Sequence, residues 1–197
     1  MKRPKFWNHG EKSWRKAALL PLAWAYQLGF WISNFWSTPL QVGVPVICVG
    51  NVTTGGAGKT PVALNLASHF KSKKIAIHFL SRGYGGEHNN KPIRVDPLQH
   101  SARAVGDEPL ILAQHATTWV ASDRIAGAKS AVANGAEVII MDDGFQNPSL
   151  KKDISILVFD GEYGIGNGAL LPAGPLREPL SQALSRAQAA VIIGEDR

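Results

Sequence analysis

A single cysteine, Cys48, stands in the 197-residue chain, so no intrachain disulfide can form. It lies inside an apolar run, which makes it a small core residue in a reduced compartment and points to the cytoplasm. Low-complexity tracts and internal repeats are also missing, which excludes solenoids and disordered linkers. The net charge is +6, yet the lysines and arginines are scattered rather than gathered into one basic stripe with interleaved aromatics. Nucleic acid is therefore a poor partner, whereas an anionic lipid surface or a phosphorylated substrate fits the charge. With 45% apolar and 18% charged residues, this length suits one folded domain of ordinary size.

Charge is most conspicuously missing after the basic cluster Lys12, Arg15 and Lys16: no Asp, Glu, Lys or Arg occurs from Ala17 to Gly58. Residues 17 to 36 read AALLPLAWAYQLGFWISNFW, and Trp14, Trp24, Trp31 and Trp36 lie in or beside this stretch. Twenty helical residues would span about 30 Å, enough for a bilayer core. A crossing with its positive flank held inside would place all that follows outside, and Pro21, Gln27, Gly29, Ser33 and Asn34 weaken the span. The expectation is a helix lying in the interface, with Trp24, Leu28, Trp31 and Phe35 on one side. A helix packed on the protein's own core would carry the same stripe.

From residue 44 onward, apolar runs of strand length occur at 44–49, 75–80, 137–141, 154–159 and 189–193, several rich in valine and isoleucine. Helical patterns fit 59–72, 107–116, 123–134 and 180–187, with Ser122 as a cap for the third. This alternation predicts an α/β, doubly wound, mostly parallel sheet. The expected organisation is a membrane-associated helix in residues 1–40 and a nucleotide-binding lobe in 41–197.

Between the first run and the first of these helices lies TTGGAGKT, residues 53 to 60. Gly55, Gly56 and Gly58 let the backbone curl so that its N–H groups face an anion. Lys59 can reach outer phosphates and Thr60 can ligate magnesium. Thr53 holds the position where the strict phosphate-loop motif has glycine; Thr54 and Ala57 complete the loop. The run AEVIIMDDGFQ ends in Asp142 and Asp143, where a carboxylate can hold magnesium beside the nucleotide; a plain strand-end turn would also explain the pair. In AVGDEPLILAQ, Asp107 and Glu108 open a helix. Stabilising its terminus is a sufficient reason for both, and the functional alternative is a proton acceptor with a metal-assisting partner.

The ordered series VGNVTTGGAGKTP, SRGYGG, GDEPLILA, SDR, DDGFQ and LLPAGPLREPL resembles the tetraacyldisaccharide 4'-kinases, the lipid A 4'-kinases of Gram-negative bacteria. The resemblance implies a P-loop NTPase fold and transfer of the γ-phosphate of ATP to the 4'-hydroxyl of a tetraacyldisaccharide 1-phosphate, giving lipid IVA at the cytoplasmic face of the inner membrane. ATP and Mg2+ are the implied cofactors. It also implies Asp107 as catalytic base, Lys59 and Arg124 as catalytic, Thr60, Glu108, Asp142 and Asp143 as metal-linked, and Ser81, Arg82, Gln146, Arg177 and Glu178 as near the active site.

Two departures stand beside it. Asn147 occupies a position where the family usually has histidine, and residue 197 falls where the family continues into a second lobe that supplies a histidine to the base. The expectation is thus a chain that binds ATP and transfers poorly. The competing readings are a membrane-recruited P-loop ATPase or switch, and an inactive nucleotide-binding fragment.

Overall fold

The computed structural model describes residues 3–11, 13–35, 37–83 and 91–194, with the side chains of 33–35 set aside. Phe35 as a side chain, Lys12, Trp36 and the YGG of SRGYGG therefore lie outside the described residues. The chain forms two compact units: residues 1–37, 51–58 and 156–197 make the smaller, and residues 38–50 and 59–155 the larger.

The larger unit is an α/β layer. Strands β1 (Val46–Gly50), β2 (Ile77–Ser81), β4 (Thr117–Val120) and β5 (Val138–Asp142) run parallel in the order β4-β2-β5-β1, and the two-residue β3 (Ile93–Arg94) pairs antiparallel with β4. Every residue of β1, β2 and β5 is buried. That is why these segments read as unbroken apolar runs: parallel strands are covered on both faces. Helices α2 (Lys59–Ser72), α3 (Ala102–Val105), α4 (Asp107–Ala113) and α5 (Arg124–Ala133) connect them. Gly127 brings α5 close to the sheet, since a Cβ there would meet Leu80 Cδ1 at 2.6 Å and Ala121 Cβ at 2.8 Å. The cap of α5 is a correction: Asp123, not Ser122, accepts from the amides of Ile125 (2.8 Å) and Ala126 (3.2 Å). The helix expected over 107–116 ends at Ala113.

The smaller unit carries a 3-10 turn (Lys5–Trp7), the long helix α1 (Trp14–Phe35), helix α6 (Leu180–Arg186) and, from Ile156 onward, strand β6 (Ile154–Asp160), paired parallel with β7 (Ala189–Ile193) in the register Ile156↔Ala189 through Asp160↔Ile193. α1 stays helical through Pro21. Its Trp24, Leu28 and Trp31 are exposed, at 68%, 59% and 59%, and so are not packed on the core formed by the described residues; among the described side chains of α1, Ala23 is the buried one. Among the described residues no helix is long and apolar enough to cross a membrane.

Candidate functional site

In the larger unit the strand-then-helix logic delivers one cluster. β5 ends at Asp142, and the next residue, Asp143, turns the chain with φ 53, a left-handed conformation that aspartate tolerates better than most side chains. Lys59 is the first residue of α2, 8% exposed, and its Nζ lies 3.5 Å from Asp143 Oδ1. Thr60 follows it, half-buried.

Asp142 is 1% exposed, and neither carboxylate oxygen has a hydrogen bond of proper geometry. Burial, then the charge of Glu108, pushes its carboxyl up to about 7, with Lys59 pulling the other way. A buried acid without donors calls for a cation or a proton. Among the described residues no three His, Cys, Asp or Glu side chains converge on a point that could hold a metal ion. The donor set fits magnesium, which takes one or two carboxylates and completes its shell with phosphate and water.

Arg124, the first residue of α5, is 4% exposed and turns inward. It donates to the carbonyls of Ala121 and, at 3.4 Å, Ser81, while its Nε has no partner. Burial and the nearby Arg82 lower it to about 10, while Asp143 and Asp142 favour its charge. Ser81 is buried at the end of β2 and accepts from the Gly83 amide at 3.4 Å; Arg82 beside it is exposed. Asp107 and Glu108 open α4 on the surface, directly after Gly106 at φ 92. Gln146 is half-buried, and Asn147 spends its side-chain oxygen on Ser149, accepting from its N–H (3.2 Å) and O–H (2.9 Å). Lys59, Asp142, Asp143, Glu108, Arg124 and Arg82 thus share one electrostatic neighbourhood. Ser81 belongs to it through its carbonyl.

In the smaller unit the glycine-rich loop is tied to its surroundings by hydrogen bonds. Thr53 is buried and bridges Leu176, the Thr54 amide donates to Pro175 O (2.9 Å), and the Arg177 amide donates to Val52 O (2.8 Å). Asn51, unmarked by the sequence reading, is buried and donates from Nδ2 to the carbonyls of Thr53 (2.8 Å) and Gly55 (3.2 Å). Gly58 cannot be replaced cheaply: its φ is 76, and a Cβ would lie 2.4 Å from Ile193 Cδ1. Ala57 is buried, and Gly56 is exposed. Glu178 is buried and paired with Arg186. The pair neutralises a buried acid with a half-exposed arginine. Among the described histidines, buried His78 accepts from Trp119 Nε1 at 3.3 Å, and His100 accepts from the Asp96 amide at 2.9 Å.

The chain as a whole has known relatives. The family described as LpxK, tetraacyldisaccharide-1-P 4'-kinase, matches residues 15–197. A tetraacyldisaccharide 4'-kinase of Parvibaculum lavamentivorans is 55% identical over 197 residues, covering 98% of this chain and 57% of the relative. One of Gluconacetobacter diazotrophicus is 50% identical, covering 100% and 60%. A crystal structure described as an "apo" form of LpxK from Aquifex aeolicus in complex with ATP superposes with a TM-score of 0.76 at 33% identity, covering 90% of this chain and 58% of that one. The chain therefore spans less than two thirds of the length of these relatives.

Proposed function

Because the chain belongs to the tetraacyldisaccharide-1-P 4'-kinase family, we propose that it binds ATP and takes part in transferring the γ-phosphate to the 4'-hydroxyl of a tetraacyldisaccharide 1-phosphate. The observation that carries this reading is the pair formed by Lys59, at the head of α2, and Asp143, beside a buried Asp142 whose carboxylate oxygens make no well-formed hydrogen bond. A lysine held at a helix N-terminus is a phosphate ligand in waiting, and the helix end adds its own positive potential. Thr53 to Gly58 cradle the phosphates. Thr60, Asp142, Asp143 and Glu108 are the residues that would hold magnesium. Bound with the nucleotide, magnesium neutralises charge on the phosphates.

Asp107 takes the proton from the substrate hydroxyl; its exposure at the start of α4 leaves it open to an incoming sugar. Arg124 and Arg82 supply positive charge facing the acids, and Arg124, wedged against two carbonyls, is fixed in place before substrate arrives. Ser81, Gln146, Arg177 and Glu178 hold the surrounding loops. In-line transfer of this kind depends mainly on positioning and charge stabilisation.

The exposed aromatic face of α1 seats the protein on the cytoplasmic surface of the inner membrane, where a lipid substrate resides. A groove of ≈ 350 Å³ lined by Trp24, Gln27, Leu28, Trp31 and Gln182 lies along that face.

The test is incubation of the chain with ATP, Mg2+ and the acylated disaccharide in mixed micelles. Phosphate is expected on the 4'-hydroxyl, and Asp107→Asn is expected to lower turnover about 10²–10⁴-fold while leaving ATP affinity in place. Failure to bind ATP at all would sink the reading.

A further inference from the structure

Arg3 reaches the glycine-rich loop from 53 residues away: its guanidinium NH2 donates to the Gly56 carbonyl at 3.0 Å. The same group lies 3.9 Å over the centroid of the Tyr163 ring, and its NH1 is 3.9 Å from Asp160 Oδ2. The segment that carries it is pinned. Trp7 Nε1 donates to Pro172 O (3.1 Å), and Asn167 donates from its amide to Trp7 O (2.7 Å) and from Nδ2 to Phe6 O (2.9 Å). Gly55 is shaped to the arrangement as well, because its φ is 105 and a Cβ there would lie 2.9 Å from Arg3 Nε.

We propose that Arg3 is a positioning residue for the phosphate loop: it captures the Gly56 carbonyl and so fixes the peptide plane that presents the Ala57 amide. The inference rests on the nucleotide-binding reading of that loop. A trans peptide points its C=O and N–H in opposite directions, and the described cis bond is elsewhere, at Leu171–Pro172. Holding Gly56 O on Arg3 therefore holds Ala57 N–H away from Arg3. Asn51 does the same for Thr53 O and Gly55 O, so three carbonyls that would repel a phosphate are each tied to a side-chain donor. Planar guanidinium suits the task, since it can lie flat on Tyr163 while donating in its own plane to Gly56; an ammonium has no plane to stack and holds the carbonyl less firmly.

The test uses the full chain and two readouts. By calorimetry with Mg2+ present, Arg3→Ala is expected to weaken ATP binding about tenfold, roughly what one charge-assisted hydrogen bond is worth. AMP binding, which bypasses the outer phosphates, should change much less, and Arg3→Lys should recover only part of the loss. Without nucleotide, amide exchange at residues 55–58 should accelerate in Arg3→Ala while α2 and β5 keep their protection. Unchanged exchange in the loop, an equal loss for ATP and AMP, or full recovery by lysine would each overturn the assignment. Faster loop exchange with no ATP binding by the unmutated chain would instead uphold Arg3 as the residue that orders the loop and remove the nucleotide reading alone.

Discussion

Lys59 Nζ and Asp143 Oδ1 stand 3.5 Å apart, a nearly buried lysine facing a carboxylate whose own backbone is left-handed. The lysine has lost most of its water and needs a counter-charge; the aspartate provides one and keeps the head group at the mouth of α2. On the proposed function, a bound phosphate would offer the same head group a second anion.

Lys59→Ala should therefore lower ATP affinity about tenfold or more, since charge-assisted contacts to phosphate are among the stronger ones. The far-UV spectrum should remain that of the unmutated chain, because the head group faces an acid rather than apolar core. Calorimetric titration checks the affinity, and equal binding by both proteins would remove Lys59 from the site.

Asp123→Ala should cost about 1 kcal/mol in urea unfolding, the usual worth of an N-cap. The two amides it satisfies, on Ile125 and Ala126, belong to the helix that anchors Arg124. Ser122→Ala, one residue earlier, should be nearly silent, and the reverse ranking would contradict the cap.

How much of this could be read in the sequence follows from what each feature depends on. The strands β1, β2, β5, β6 and β7 were legible because each is a run of apolar residues long enough to stand out, and the glycine-rich turn between β1 and α2 was legible because its glycines and Lys59 keep a fixed spacing. β4 was not read: TTWV is too short and half polar, and it becomes a strand only because β2 lies beside it. β3, at two residues, has no pattern at all. The Asp123 cap was missed by one residue because serine and aspartate cap equally well and only the backbone decides between neighbours. Arg3 and Asn51 carry no local signal; what marks them is the set of carbonyls they reach, and that set exists only after folding.

Trp24→Ser combined with Trp31→Ser should abolish sedimentation of the protein with vesicles of anionic phospholipid while moving the unfolding midpoint little. Both rings are exposed, so folding gains little from them, whereas an interface would bury them. Lost vesicle binding with a sharply lowered midpoint would instead mean that the rings support the fold.

The pH dependence of stability should carry the mark of Asp142. Its carboxyl is raised to about 7 in the folded protein, from an ordinary value near 3.8, chiefly by burial. Between those values the folded state holds a proton that the unfolded state has released, so stability falls as pH rises from about 4 to about 7 and then levels off. Three pH units correspond to about 4 kcal/mol as an upper bound, reduced by any water that reaches the site. Asp142→Asn cannot ionise, so the difference between its stability and that of the unmutated chain should widen over the same interval, with asparagine favoured at pH 8. Saturating Mg2+ at pH 8 should narrow that difference by stabilising the aspartate form alone, because a divalent cation supplies the partner that the buried oxygens lack. Urea unfolding at pH 5 and 8, with and without Mg2+, measures all four quantities. Parallel pH profiles for the two proteins would show that Asp142 ionises in the folded state as easily as in water, and would remove it as the buried acid on which magnesium binding is built.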